Sequence, residues 1–330
     1  MSRRHFLQQT SALGAASLLG ISNESRAEPP PEIKSVRLIH TPAICFAPQY
    51  LAEQLLRLEG FTQVEYVESA SEFPTDILAR NKADFAMDAS PTLIRSIDRG
   101  KSVVALAGIH AGCYELFGNE RVHAIRDLKG KDVAIGGFEG ADYLLLSSML
   151  AYVGIDPRKD VNWIKGETTV AMELFAGGKA DAFMGFAPQP QELRARKIGH
   201  VIVNTSQDRP WSQYFCCMVA ANQEFVGKYP IATKRALRAY LKAADVCAAE
   251  PERVARYLVA KGYEPRYEIG LEVLKSLPYA RWREADPEDT LRFLALRLHE
   301  VGMIKSTPQK LIAQGSDWRF LNELKKEMKA

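Results

Sequence analysis

Five cysteines, six histidines and a set of acids and aromatic residues beside strand–helix turns are the residues of this 330-residue chain that could do chemistry. The cysteines are Cys45, Cys113, Cys216, Cys217 and Cys247. An odd number leaves at least one thiol unpaired within the chain, and adjacent Cys216 and Cys217 cannot form an ordinary bridge. They read as a buried structural pair. No C-x-x-C pair occurs, and His5, His40, His110, His123, His200 and His299 show no ligand spacing, so no metal site is expected. Gly136-Gly137-Phe138-Glu139-Gly140 is neither a dinucleotide fingerprint nor a P-loop, and no G-x-S-x-G elbow is present. No catalytic residue and no cofactor is expected.

The remaining candidates suit the holding of a small molecule. The turns Thr41–Gln49 and Gly136–Asp142 lead from a strand into a helix, where unpaired N–H groups can bind ligand oxygens. An ordinary strand–helix connection is the alternative reading of each. Cys45, Phe46 and Gln49 fall in the first turn, and Phe138, Glu139 and Gly140 in the second. Asp88 follows the strand that ends at Met87, with Ser90 just beyond. Phe186, Pro188 and Tyr214 complete the set, and Phe46, Phe138 and Phe186 stand in turns beside Pro or Gly, where a ring can stack a flat ligand or enclose a cation. Glu139, Asp142 and Asp88 would repel an anion, and neither turn carries Lys or Arg to offset them. A neutral or cationic organic ligand is therefore expected in preference to a small inorganic anion, unless these acids are only helix caps.

Those residues require elements to position them. A short repeat supplies the plan: Ile77–Met87 and Leu174–Met184 each end a helical pattern at Lys-Ala-Asp and continue as an apolar strand. The copies lie 97 residues apart, too far for a solenoid. The flanks match as well, with strands at Val36–His40 and Asp132–Ile135 and helices near Pro48–Leu58 and Ala141–Val153. Further strands are expected at Val64–Val67, Val103–Ala107, Val161–Ile164 and Val201–Val203. Alternating strands and helices imply mostly parallel sheets covered on both faces. From about Asn222 the pattern is helical, with helices at Thr233–Ala249, Pro251–Lys261, Ile269–Ser276, Pro287–Val301 and Asp317–Lys329.

The first 27 residues read as an address. Ser2-Arg3-Arg4-His5-Phe6-Leu7, an apolar run Ser11–Ile21 and a small-residue site at Ser25-Arg26-Ala27 have the layout of a twin-arginine export signal. The alternative is an ordinary secretory signal holding two arginines. Residues 1–27 carry Arg3, Arg4 and Arg26 against Glu24, so of the whole chain's +3 the remainder keeps about +1. That near-neutral balance gives no reason to expect nucleic acid as a partner.

The order DLKGKDVAIGG (127–137), ELFAGGKADAFMGF (173–186) and NQEFVGKYPIATKRALRAYLKAADVCAAEP (222–251) resembles the nitrate/sulfonate/taurine-type substrate-binding proteins of ABC importers. These share a superfamily with the pyrimidine synthase of thiamine biosynthesis. The resemblance implies a two-lobed α/β periplasmic-binding-protein fold of type II, with two crossover segments, a ligand cleft between the lobes and a helical C-terminal part. By analogy, 34–108 and 220–330 form lobe one and 109–219 lobe two. His110, Gly112 and Cys113 then lie where the chain first crosses, facing the cleft. The implied protein is a periplasmic monomer that closes on its ligand and delivers it to ABC permease subunits. A thiamine-pyrimidine-synthase-like enzyme is the alternative. Against it stand the export signal and a cysteine run reduced to Cys216-Cys217 and shifted in register. A sensory or assembly partner on the same fold is a third reading.

Overall fold

The computed structural model describes residues 28–69 and 72–329. The export signal lies outside the described residues. All that follows concerns residues 31–330, which form one compact unit.

Two five-stranded sheets share one plan. The first contains β1 (Ser35–His40), β2 (Gln63–Glu68), β3 (Phe85–Ala89), β4 (Val103–Ala111) and β10 (Phe215–Asn222), in the order β2-β1-β3-β10-β4. The second contains β5 (Tyr114–Gly118), β6 (Asp132–Ile135), β7 (Asn162–Lys165), β8 (Ala182–Phe186) and β9 (His200–Asn204), in the order β7-β6-β8-β5-β9. In each, the strand after the Lys-Ala-Asp repeat has one parallel and one antiparallel neighbour: β3 lies parallel to β1 and antiparallel to β10, and β8 parallel to β6 and antiparallel to β5. The repeat Asp explains its own recurrence. Asp84 Oδ2 accepts from the Arg37 N–H at 2.7 Å, and Asp181 Oδ2 from the Asp132 N–H at 3.2 Å, tying β3 to β1 and β8 to β6.

The chain crosses between sheets at Gly112–Cys113 and again over residues 205–214. Strand pairing carries the first sheet through Ala111 and resumes it at Phe215. Gly112 has φ +63, and a Cβ there would meet Ser206 backbone atoms at 2.3 Å, so the two crossovers touch at a point only glycine fits. β3, β4 and β10 are buried at every position and read as near-continuous apolar runs, as strands covered on both faces must.

Helices cover both sheets: α1 (Ala47–Leu58), α2 (Pro74–Ala79), α3 (Ser90–Asp98), α4 (Ala141–Tyr152), α5 (Thr168–Ala176) and α6 (Gln189–Arg196). The C-terminal part is helical, with α7 (Gln223–Lys228), α8 (Pro230–Ala249), α9 (Pro251–Ala260), α10 (Tyr267–Ser276), α11 (Pro287–Glu300), α12 (Pro308–Gly315) and α13 (Arg319–Glu327). Asn222, Asp286 and Thr307 cap α7, α11 and α12 by accepting backbone N–H bonds. α8 packs on α1, and α11 packs on α3 and on α4 of the second lobe. No helix among the described residues is long and apolar enough to cross a membrane.

Candidate functional site

A cavity of about 460 Å³ opens where the two lobes meet, within the size range of ligand pockets, about 300–1,000 Å³. The first lobe supplies the loop after β1, the start of α2, the end of β3 and the start of α3. The second supplies Tyr114, Ala141, Thr168 and Phe186. Of the residues singled out in the sequence, Cys45, Phe46, Asp88, Cys113 and Phe186 lie on its wall.

Among the described residues of its wall, Asp88 is the one buried acid or base. Oδ1 accepts from Thr92 Oγ1 at 2.8 Å and from the Ala89 N–H at 2.7 Å, whereas Oδ2 is buried with no partner. Burial raises this carboxyl to about 6, outweighing the Thr92 and Ala89 hydrogen bonds that pull it down. The other acid on the wall, Glu72, is exposed and paired with Arg80. Phe46, Phe73 and Phe186 give the cavity apolar faces, with Phe186 tilted on Tyr114 at 5.6 Å. Phe73, Thr92 and Thr168 were not legible as cavity residues. Thr92 had the only signal, its place one helical turn beyond Asp88.

The other expected ligand residues are placed elsewhere. Gln49 is buried: its amide donates to the Ile39 carbonyl and accepts from the Met87 N–H at 2.7 Å, clipping α1 to β1 and β3. Ser90 Oγ, also buried, donates to the Phe215 carbonyl at 2.7 Å and so fastens α3 to β10. Phe138 is 47% exposed and sets its edge on Tyr143. Glu139 pairs with Arg95 of α3 and with Arg99 at its C-cap, so its charge is offset from outside the two turns, neither of which carries Lys or Arg. Gly140 is the N-cap of α4, and Pro188 that of α6. Tyr214 stacks on Phe293 of α11 at 4.1 Å, at the second crossover. Gly112 serves the crossover, as described above. In the first turn of α4, Asp142 Oδ2 accepts from the Gly136 N–H of the preceding turn at 2.6 Å.

His110 is buried at the end of β4, behind the cavity wall. Its Nδ1 donates to the Gly112 carbonyl at 3.0 Å, its ring meets Tyr279 edge-on at 5.1 Å, and Nε2 has no partner. Four of the five cysteines gather around it. A ring nitrogen of His110 and the sulfurs of Cys45 and Cys217 lie within 4.8 Å of one another, as do the sulfurs of Cys113, Cys216 and Cys217. Burial works against ionisation of Cys216, but hydrogen bonds with Cys113 and Cys217 and the nearby imidazole bring that thiol down to about 5. Burial holds Cys113 and Cys217 above the ordinary thiol range. Cys216 and Cys217 are thus part of a larger assembly than the adjacent pair read from the sequence.

The family model described as NMT1/THI5 like matches residues 57–254, more than half of the chain. The chain belongs to the NMT1/THI5-like family. Solved structures carry the same fold as this NMT1/THI5-like chain. The periplasmic nitrate-binding protein NrtA from Synechocystis PCC 6803 superposes with a TM-score of 0.70 at 16% identity, covering 91% of this chain and 90% of its own. The alkanesulfonate-binding protein SsuA from Xanthomonas axonopodis pv. citri, bound to MOPS, gives 0.67 at 16% identity over 88% of this chain and 99% of its own. The periplasmic aliphatic sulphonate-binding protein SsuA from Escherichia coli gives 0.66 at 16% identity over 84% of this chain and 91% of its own. These likenesses establish the two-lobed binding-protein fold and agree with the resemblance drawn from the sequence. No curated protein sequence matches the chain.

Proposed function

We propose that this NMT1/THI5-like chain is an exported substrate-binding protein of an ABC importer, and that it captures a neutral or cationic small organic molecule between its lobes. The observation that carries the ligand class is the cavity wall, which includes the buried carboxylate of Asp88 with a free oxygen and no lysine or arginine. An anion there would meet a like charge, whereas an ammonium or a ring N–H would give Oδ2 its missing partner. Phe46, Phe73 and Phe186 suit the faces of a flat or alkyl body. Cys45 and Cys113 are the further wall contacts.

Capture proceeds by hinge closure. A ligand that bridges Asp88 of the first lobe and Phe186 of the second favours the closed form by its differential contacts with the two states. The closed monomer then docks on the permease, and no covalent step is involved. The signal at 1–27 takes the folded chain through the twin-arginine pathway into the periplasm.

Calorimetry of the purified mature chain with organic amines and heteroaromatic amines, set against nitrate, taurine and alkanesulfonates, tests the ligand class. Binding is expected among the first group and is weakened by Asp88→Asn when the ligand is cationic. Tight binding of nitrate or a sulfonate overturns the ligand class. Recovery of the ligand unchanged is expected of a carrier, and its turnover would favour an enzyme. Export is tested by R3K/R4K, which retains the protein in the cytoplasm if the twin-arginine reading holds.

A further inference from the structure

Cys45, His110, Cys113, Cys216 and Cys217 come from a 3-10 turn, a strand end, a crossover and the start of a second strand, yet they meet in one place behind the cavity. We propose that Cys45, His110 and Cys217 form a binding site for a thiophilic d10 metal ion, with Cys113 and Cys216 flanking it. Cys217 is the pivot, since its sulfur belongs to both groups of donors. Strand pairing sets it directly opposite His110.

The donor geometry is close to what an ion needs. Metal–sulfur bonds of about 2.3 Å place the donors of a trigonal or tetrahedral site roughly 3.7–4 Å apart. The three donor atoms lie within 4.8 Å of one another, so a small contraction closes them on an ion. The Gly112 carbonyl holds the proton of His110 on Nδ1, which leaves Nε2 as a lone-pair donor. An outer-shell carbonyl that fixes the tautomer in this way is a regular partner of metal-bound histidine. Tyr279 braces the same ring and donates to the Cys45 carbonyl at 3.1 Å.

Purely structural cysteines do not account for the arrangement. Small apolar packing would explain the thiols. It would leave His110 Nε2, deep in the core, with nothing better than the weak Cys45 thiol as a partner. A metal ion supplies the missing partner and offsets the charge of buried thiolates. With sulfur and imidazole donors and no carboxylate, the set selects Cu(I) or Zn(II) over Mg²⁺, Ca²⁺ or Mn²⁺. Cys45, Cys113 and Cys217 also line the cavity, so a bound ion would stand at its wall.

The test is independent of the organic ligand. Full-length mature protein, reduced and handled without oxygen, is titrated with Cu(I) against a chromophoric Cu(I) chelator and, separately, with Zn(II) against a zinc indicator. One equivalent bound in competition with the chelator is expected, and the tighter arm identifies the ion. Cobalt(II) substitution should give a thiolate-to-metal charge-transfer band. Cys217→Ser and His110→Ala should each weaken binding by more than about 100-fold, beyond the 10–100-fold typical of losing an outer-shell partner. Cys247→Ser, which alters the one cysteine outside the cluster, should leave affinity unchanged. Circular dichroism confirms that each variant is folded, and the cobalt band of the wild type reports the site even if one variant fails to fold. Failure of the reduced wild type to bind either ion, or stoichiometric binding that survives Cys217→Ser, overturns the proposal.

Discussion

Arg95 of the first lobe and Glu139 of the second form an ion pair at 2.9 Å, and Arg99, one turn along α3, grips the same carboxylate at 2.8 Å. The Arg95 guanidinium is almost wholly buried and also donates to the Glu139 carbonyl, so the loop before α4 is fastened to the first lobe by three contacts. Elsewhere between the lobes Arg194 of α6 reaches Glu272 of α10 at 2.8 Å, and Arg266 reaches Glu192 at 2.7 Å. The lobes are therefore joined by two sets of ion pairs. Glu139, read from the sequence as a ligand contact, makes these contacts across the lobes.

Glu139→Ala should shift the lobes toward an open form. An exposed ion pair contributes about 0.2–1 kcal/mol, and stranding the buried Arg95 adds to that. Small-angle X-ray scattering of the ligand-free variant should give a larger radius of gyration than the wild type, and ligand affinity should fall several-fold. An unchanged radius would mean that these ion pairs do not govern closure.

Asp88 makes stability depend on pH with a sign opposite to that of a salt-bridged carboxylate. Its folded value of about 6 lies above the ordinary 3.8, so between the two the folded protein holds a proton that the unfolded chain has released. Stability then falls as pH rises through this window, by up to about 3 kcal/mol at roughly 1.4 kcal/mol per unit. Asp88→Asn should remove that loss: urea unfolding should show the variant gaining on the wild type from about pH 4 to about pH 7. A gap that stays constant across the range would place the titration elsewhere.

Gln49→Leu tests the clip between α1, β1 and β3. The substitution leaves the Met87 N–H and the Ile39 carbonyl without the side-chain partner each now has, inside a fully buried site. A loss of about 2–4 kcal/mol in unfolding free energy is expected, with ligand affinity of the folded fraction unchanged. Loss of affinity without loss of stability would return Gln49 to the ligand.

Regular elements were readable where periodicity was long, and the site was readable only in part. α1, α4, α8, α9 and α11 and strands β1, β2, β6, β7 and β9 fall within a few residues of their expected positions. β10 was missed because eight consecutive buried residues carry no alternation, and a short apolar run does not distinguish a strand from a helix. α7 and α12, with six and eight residues, are too short to show a period. Asp88 was legible because a strand end followed by a helix start is a local pattern. The partners of Glu139 lie on the other lobe, 40 residues away for Arg99, and Cys45 meets His110 and Cys217 only through the crossing of strands. Neither relation leaves a spacing in the chain.

Gly112 makes the crossover itself testable. Its φ of +63 lies in the left-handed region, and a methyl group would fall 2.3 Å from the nitrogen and Cα of Ser206, atoms of the backbone that cannot swing aside. The same residue's carbonyl accepts from His110 Nδ1, so any shift at 112 also disturbs the imidazole. Gly112→Ala should therefore cost at least about 2–3 kcal/mol, more than the roughly 1 kcal/mol of a left-handed alanine alone, because the two crossovers must separate. Ser206→Gly, which removes the facing Cβ but not the backbone, should rescue little. Chemical denaturation of the single and double variants measures both effects, and full rescue by Ser206→Gly would mean that the facing side chain, rather than the meeting of two backbones, demands glycine at this hinge.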